Sequence, residues 1–402
     1  MSKNNCKKDG ILFLCQYFYP EKVSSATLPT DTAKFLSSKG YKVGCLCGYP
    51  KEYLQQSDKV ENREKVFGID IERVKYTTFK KRNFIGRLVN YFSFTFKCFF
   101  RIKRAKNYEY IVVYSNPPIL PFVAYKAHKK YGTKIIFVSY DVYPEIAINT
   151  GALSDNGIIT RLMKKINNKL YSAVEKVVVL SPDMKEFILH NRNVAADKVA
   201  VIPNWFADIP FNAPKKRQPF TVTYLGNMGI CQDMETLLLA VKALNGDASF
   251  RFVIGGQGNK AERVKDFIRE NNLTNVEFHP FIVGEEYERI MKESHCFIVS
   301  TERNINGLCF PSKYYSYLAF GRPVIAIMEE NSLTKELAEN KIGYAVTNGD
   351  NKALVERIKE IAAFKEKQYS ETCDNVYKVF KNNYTTELCN KKFVDKVIRS
   401  DK

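Results

Sequence analysis

A chain of 402 residues is comfortable for two domains, and a 45% hydrophobic content gives each of them a core to bury. No run of 18 or more uncharged apolar residues occurs, so no spanning helix is predicted, and the polar opening MSKNNCKKDG predicts no secretory signal. The formal net charge of +19 is lopsided: residues 1–205 hold 34 Lys and Arg against 17 Asp and Glu, and residues 73–134 hold 15 basic residues against the single acid Glu109, a patch that calls for an anionic partner. Ten cysteines with irregular spacing and no CxxC pair predict reduced, buried thiols and no structural metal.

In chain order, the first half alternates short apolar strands with helical patterns. The strands are ILFLC (11–15), YKVGCLC (41–47), YIVVYS (110–115), KIIFVS (134–139), KVVVL (176–180) and KVAVIP (198–203), with helices over 25–39, 118–131, 157–172 and 182–190. After a Pro-rich basic stretch at 206–220 the rhythm restarts with TVTYLGN (221–227), SFRFVIGG (249–256), NVEFHPF (275–281), CFIVS (296–300) and PVIAIM (323–328). Helices near 232–244, 260–271, 284–293 and 312–320 connect them, and 351–400 is helical and charged. Strands alternating with helices predict parallel sheets covered on both faces. The expected fold class is α/β, two doubly wound Rossmann-like domains: residues 1–205, a linker at 206–220, residues 221–370, and terminal helices over 371–402 that pack back on the first domain.

Between the second and third strands, NFIGRLVNYFSFTFKCFFRIKRAK (83–106) reads as an amphipathic helix. Ile85, Leu88, Phe92, Phe96 and Phe99 recur on one side, and Arg87, Asn90, Lys97, Arg101 and Arg104 on another. Such a segment suits an anionic membrane surface, and a core helix with a solvated basic edge is the competing reading. Nucleic acid is the rival anion, but no nucleic-acid-binding motif is present.

Three segments carry chemistry in the second half. In YLGNMGICQDMETLLLAV (224–241), Gly226, Asn227 and Gly229 form a strand-to-helix turn that lets backbone approach a ligand; VIGGQGNKAERVKDFI (253–268) repeats the design with Gly255, Gly256 and Gly258. In GLCFPSKYYSYLAFGRPVIA (307–326), Pro311 and Ser312 suit a helix start with Ser312 as cap, and Lys313 on the first turn is at odds with the helix dipole unless an anion sits there. A lysine snorkelling to solvent is the plain alternative. In the first half, Asp141 and Glu145 follow a strand at its carboxyl edge, where Asp141 is either an acceptor-side base or a helix cap.

These segments, with CQYFYPE (15–21), SNPPIL (115–120), SYDVYPEI (139–146), VVVLSPDMKEFI (177–188) and VIPNW (201–205), resemble glycosyltransferase family four of GT-B fold. The similarity is closest to bacterial enzymes of O-antigen, capsule and colanic-acid assembly, of the fucosamine-transferase type. The resemblance implies two domains facing across a cleft and a retaining, metal-independent transfer from a nucleotide-sugar, with UDP favoured, to a saccharide on a polyprenyl diphosphate. It implies a cytoplasmic protein peripheral on the inner face of the plasma membrane, with no cofactor and no nucleic-acid partner. Pro311, Ser312 and Lys313 would clamp the donor diphosphate, Gly226, Asn227, Gly229 and Gly256 would face the phosphates or sugar, and the turn at His279 and Phe281 would hold the nucleobase. Asp141 and Glu145, with Lys313, are the catalytic candidates; Glu21 and Asn116 are candidates on the acceptor side, and Asn204 precedes the linker either as a family position or as a turn residue. The chain departs from the family at two glutamates eight residues apart, which fall on Leu308 and Ser316. Glu302, Asn304 and Asn306 are the substitutes for donor-sugar hydroxyls. That departure leaves a nucleotide-sugar epimerase of the same fold, or an inactive scaffolding relative, as alternatives.

Overall fold

The computed structural model describes residues 10–50, 60–79, 84–211, 215–280 and 282–399. Among them the chain forms two units. The first comprises residues up to Pro203, Gly307–Phe310 and the stretch from Cys389 onward; the second comprises Asn204–Asn306 and Pro311–Leu388.

In the first unit the elements run β1 (Ile11–Leu14), α1 (Ser24–Ser38), β2 (Val43–Gly48), β3 (Arg63–Val66), β4 (Ile69–Val74), α2 (Phe84–Phe99), β5 (Tyr110–Tyr114), α3 (Pro121–Tyr131), β6 (Lys134–Ser139), α4 (Glu145–Asn149), α5 (Ile158–Tyr171), β7 (Val174–Val179), α6 (Pro182–Asn191) and β8 (Val199–Val201). The sheet order is β3-β4-β2-β1-β5-β6-β7-β8, parallel except for the β3–β4 pair. β1, β2 and β5 are buried along their whole length, as unbroken apolar runs demand when helices cover both faces. The β3–β4 hairpin was not legible in the sequence. REKV is a charged edge strand whose residues alternate between exposed and half-buried, and its turn is carried by Phe67 and Gly68, both with positive φ.

The second unit holds β9 (Phe220–Leu225), α7 (Met234–Ala243), β10 (Phe250–Gly255), α8 (Ala261–Glu270), β11 (Val276–His279), α9 (Gly284–Glu293), β12 (Cys296–Ser300), α10 (Lys313–Ala319), β13 (Val324–Ile327), α11 (Ser332–Glu339), β14 (Gly343–Val346), α12 (Asn351–Ala363) and α13 (Glu366–Asn383), and α14 (Thr386–Phe393) follows. Its parallel sheet runs β11-β10-β9-β12-β13-β14. The two doubly wound Rossmann-like domains expected from the sequence are thus present. The expected boundaries at 206–220 and 371 differ from the structure. Tyr369 and Cys373 of α13 lie in the second core, and the Tyr369 hydroxyl donates to the His295 carbonyl at 2.8 Å. Phe206 exchanges backbone hydrogen bonds with Tyr384 and Thr386. Only the last turns, through Phe393, Val394, Val397 and Ile398, enter the first core.

The expected helix over 83–106 is shorter, and its polar side is partly covered. It ends at Phe99 and is followed by a 3-10 turn at Ile102–Asn107. Phe94 and Cys98 face inward with Asn90, whose amide pairs with both the N–H and the carbonyl of Phe79 at 2.9 Å. Arg101 and Arg104, expected on a free basic face, converge instead on Glu72 of β4, at 3.2 and 2.7 Å, with Arg63 joining from β3. Burial opposes the Glu72 charge, but Arg104 and Arg63 overcome it and hold the carboxyl below its usual range. A lowered carboxyl stabilises the fold above its unfolded pKa, and that stability is lost as pH falls through the folded value. Glu72→Gln is expected to cost about 2 kcal/mol at pH 7 in denaturant unfolding, with the difference from wild type shrinking as pH falls through the acid range.

Candidate functional site

The second unit gathers its candidates at the carboxyl ends of β9, β10 and β12. β9 runs into Gly226–Gly229, and α7 starts at Met234 with the Asp233 carboxylate accepting from the N–H and hydroxyl of Thr236. The two glycine turns pack on one another. Gly226 N donates to Gly255 O and Met228 N to Gln257 O, while Gly256 N donates to His279 O. Gly256 has φ 144°, and a Cβ there would lie 1.7 Å from the Gly226 carbonyl oxygen. Backbone packing, rather than ligand approach, therefore requires that glycine. Gly229 N donates to Gln232 Oε1 at 3.0 Å, and the Asn227 side chain reaches the same oxygen at 3.4 Å from an exposed position.

Lys313 opens α10 beside this turn. Its Cγ would be 3.7 Å from a Cβ on Gly226, so the lysine stem lies against the glycine. Its Nζ sits 5.3 Å from the ring centroid of Tyr287 on α9, and among the described residues it makes no ion pair or hydrogen bond. Burial alone pushes its pKa below the ordinary lysine value. Ser312 stands at the cap position but makes no side-chain cap bond, so the expected capping role is not realised; its backbone is already helical. The Tyr314 N–H is instead taken by the Pro311 carbonyl at 3.1 Å. Ser316 is buried, and its hydroxyl donates back to the Lys313 carbonyl at 2.8 Å. Tyr317 ties α10 to β9: its hydroxyl accepts from Leu225 N and donates to Leu225 O. Gly321, at φ 64°, ends the helix against the Phe211 ring, and Arg322 is buried with its guanidinium donating to the carbonyls of Ser294, Lys292 and Phe320.

The remaining donor-side candidates are already engaged. Glu302 pairs with Lys260, whose Nζ also donates to Gln232 O. Asn304, at φ 62°, is held by the Glu329 carboxylate through its N–H, and the Asn306 amide donates to the Glu330 carbonyl. His279 is half-buried between Glu277 and Glu286. Phe281 lies outside the described residues.

In the first unit, Ser115 Oγ accepts from the backbone N–H groups of Tyr140 and Asp141, fixing the chain just past β6. Asp141 bridges Cys309 in antiparallel fashion, and Val142 N donates to Leu308 O at 2.7 Å. It caps no helix: α4 begins at Glu145 after Pro144. Desolvation raises the Asp141 carboxyl to about 6. Glu145 is committed to Arg192 at 2.6 Å, which makes it a structural anion. Asn116, at the end of β5, has a buried Oδ1 without a partner, whereas Glu21 is buried. On α2 the predicted apolar stripe faces outward. Ile85 is 69% and Phe96 62% exposed, with Phe92, Phe99 and Phe100 beside them, Lys97 exposed and Arg87 half-buried. Ile158 and Leu162 on α5 are exposed as well. No helix among the described residues is long and apolar enough to cross a membrane. Also among them, no group of three or more His, Cys, Asp or Glu could hold a metal ion.

Sequence reasoning missed Tyr287, Lys260 and the hydroxyl of Tyr317. Tyr287 sits in the charged run GEEYERIMKE, where no spacing marks it out. The NSLT signature of α11, realised as a capping box between Asn331 and Thr334, was present and could have been used.

Residues 26–207 match the family profile described as Glycosyltransferase Family 4, and residues 206–378 the profile described as Glycosyl transferases group 1. The probable glycosyltransferase WbjE of Pseudomonas aeruginosa is 26% identical over 310 residues, covering 73% of this chain and 76% of that protein. The putative colanic acid biosynthesis glycosyl transferase WcaI of Escherichia coli (strain K12) is 21% identical over 352 residues, covering 82% and 86%. Among solved structures, Anabaena Alr3699/HepE in complex with UDP and glucose aligns with a TM-score of 0.71 at 16% identity, over 97% of this chain and 99% of that one. WaaG, a glycosyltransferase involved in lipopolysaccharide biosynthesis, aligns with a TM-score of 0.70 at 11% identity, over 96% and 99%. At these identities the structural likeness speaks for the fold.

The raised Asp141 carboxyl gives a sign that can be checked. Below pH 4 it is protonated in both the folded and unfolded states and affects stability little; between pH 4 and 6 the unfolded chain ionises first, so folding loses stability as pH rises. Asp141→Asn is therefore expected to be more stable than wild type above pH 6, by about 2–3 kcal/mol, with the advantage gone near pH 4 in denaturant titrations.

Proposed function

We infer, for a chain that is a glycosyltransferase of GT-B type, that it moves a sugar from a nucleotide-sugar, a UDP-sugar before a GDP-sugar, to a lipid-linked saccharide acceptor in surface-polysaccharide assembly. The observation that carries the donor half of this reading is Lys313: a half-buried cation against a glycine turn, with no carboxylate paired to it among the described residues. A diphosphate supplies the missing charge, and in a partly dry site the attraction is far stronger than in water. The UDP complex of the HepE relative supports the choice of nucleotide.

The reading extends to mechanism. With retention, the acceptor hydroxyl attacks C1 on the face from which the diphosphate departs. The C1–O bond to phosphate breaks, the new C1–O bond forms, and the departing phosphate oxygen takes the hydroxyl proton. Lys313 stabilises the charge that develops on that oxygen without requiring a metal. Asp141, whose carboxyl makes no ion pair among the described residues and lies past the carboxyl edge of the first sheet, orients the acceptor hydroxyl. Glu145 is left to Arg192.

The acceptor half rests on the outward apolar stripe of α2 with Arg87 and Lys97, joined by Ile158 and Leu162 and the basic residues of α5. Basic helices with exposed aromatic anchors suit an anionic lipid surface, the place where a polyprenyl-diphosphate saccharide resides. This supports a peripheral position on the cytoplasmic membrane face. The names of the relatives, colanic acid and lipopolysaccharide biosynthesis, support a role in surface-polysaccharide assembly, for which the fucosamine-transferase type is the specificity we carry over from the sequence resemblance.

The purified protein is expected to transfer sugar from a UDP-sugar to a lipid-linked acceptor at an undiminished rate in excess EDTA; loss of turnover on chelation would remove the metal-free mechanism. Lys313→Ala is expected to lower turnover about 100-fold while its melting temperature stays within a few degrees of wild type. Product formation from the donor alone would indicate the epimerase alternative.

A further inference from the structure

We propose that Tyr287 is a positioning residue for Lys313, holding the ammonium over its ring so that it meets the donor diphosphate already oriented. The proposal rests on the reading of Lys313 as the diphosphate cation and adds the group that aims it.

A half-buried lysine ordinarily takes a carboxylate partner, and several carboxylates of the segments around α10 are engaged elsewhere. Glu302 is paired with Lys260, Glu277 with Arg251 and His279, and Glu286 faces His279 at 3.6 Å. Glu336, on α11 behind α10, accepts from the hydroxyls of Tyr314 and Tyr384. What faces the Lys313 ammonium is the ring of Tyr287, 5.3 Å from its centroid, within the range where an aromatic face attracts a cation. That attraction is weaker than an ion pair and leaves the net charge in place, so the ammonium is held without being neutralised. A carboxylate in the same position would hold the lysine more firmly, but would neutralise it and repel the phosphates.

The ring is fixed at both ends. The ring meets Phe320 edge-to-face at 6.4 Å and 84°, and its hydroxyl interacts with the side chain of Ser316, one turn along α10 from Lys313. The small side chain at 316 is therefore what admits the tyrosine hydroxyl. Ser316 in turn bonds the Lys313 carbonyl, closing a loop of contacts from the lysine backbone through Ser316 and the Tyr287 ring to the lysine ammonium.

The test uses the full-length protein, with Tyr287→Phe and Tyr287→Leu each made alone and with Lys313→Ala, and calorimetric titration with UDP and with GDP. Tyr287→Phe keeps the ring and is expected to bind within about threefold of wild type. Tyr287→Leu is expected to weaken the better nucleotide about tenfold when Lys313 is present and less than twofold when residue 313 is alanine. A second readout needs no ligand: the ring should shift the Lys313 side-chain methylene resonances upfield in wild type and Tyr287→Phe, and the shift should vanish in Tyr287→Leu. An equal loss in both lysine backgrounds would make Tyr287 a direct nucleotide contact and overturn the positioning role. Wild-type affinity in Tyr287→Leu, or unshifted Lys313 resonances in wild type, would overturn it too. If wild type binds neither nucleotide, or Lys313→Ala binds as wild type does, the diphosphate reading itself fails, whatever the resonances show.

Discussion

A half-buried lysine with no ion pair among the described residues is an arrangement that a fold keeps only under constraint, since partial burial disfavours the ammonium. In this chain the constraint is visible. The Lys313 stem is laid along Gly226, its ammonium rests over Tyr287, and its helix is bolted to β9 through the Tyr317 hydroxyl at Leu225. Glu277, Glu286, Glu302 and Glu336 are engaged by another cation, a histidine or a tyrosine. Much of the second unit's polar architecture around α10 can be seen as the means of keeping that one charge in place and available.

The same logic separates functional from structural charge elsewhere. Asp141 is a desolvated carboxyl without a cation, poised at the carboxyl edge of a parallel sheet, where open α/β sheets place their ligand sites. Glu145, Glu302 and Glu72 look similar in sequence, yet each is met by arginine or lysine. Of the 15 basic residues that make 73–134 so positive, Arg101 and Arg104 are spent on Glu72 and stiffen the join between β4 and the end of α2. The exposed face of α2 is consequently more apolar and less basic than its composition suggests.

The architecture was legible because parallel strands buried on both faces are written as unbroken apolar runs: YIVVY, KIIFVS and CFIVS all fall within one residue of their strands. β3 and β14 escaped because an edge strand carries charged and small residues that carry no such signal, and β4, though buried, because Asp70, Glu72 and Arg73 break its apolar run. For the helix 83–106 the period was right and the aromatic stripe faces outward, but the polar side is partly covered. Asn90 reads as polar and therefore outward, but its amide satisfies the backbone of Phe79 and is buried, while Phe96 points out. Periodicity reports an amphipathic helix; it does not report which face the rest of the chain covers. The glycine turns were located correctly, but the demand on Gly256 comes from the Gly226 carbonyl, a contact between segments thirty residues apart. Lys313 stood out for its conflict with the helix dipole; its partner Tyr287, on a separate helix, left no trace in the local sequence.

The central claim is that the donor diphosphate sits at Lys313. A crystal structure of the protein with bound UDP tests it most directly. The account predicts a phosphate oxygen within about 2.7–3.2 Å of Lys313 Nζ, with the phosphates over the Gly226 turn. A nucleotide whose diphosphate lies away from Lys313 and is held by other cations would contradict it.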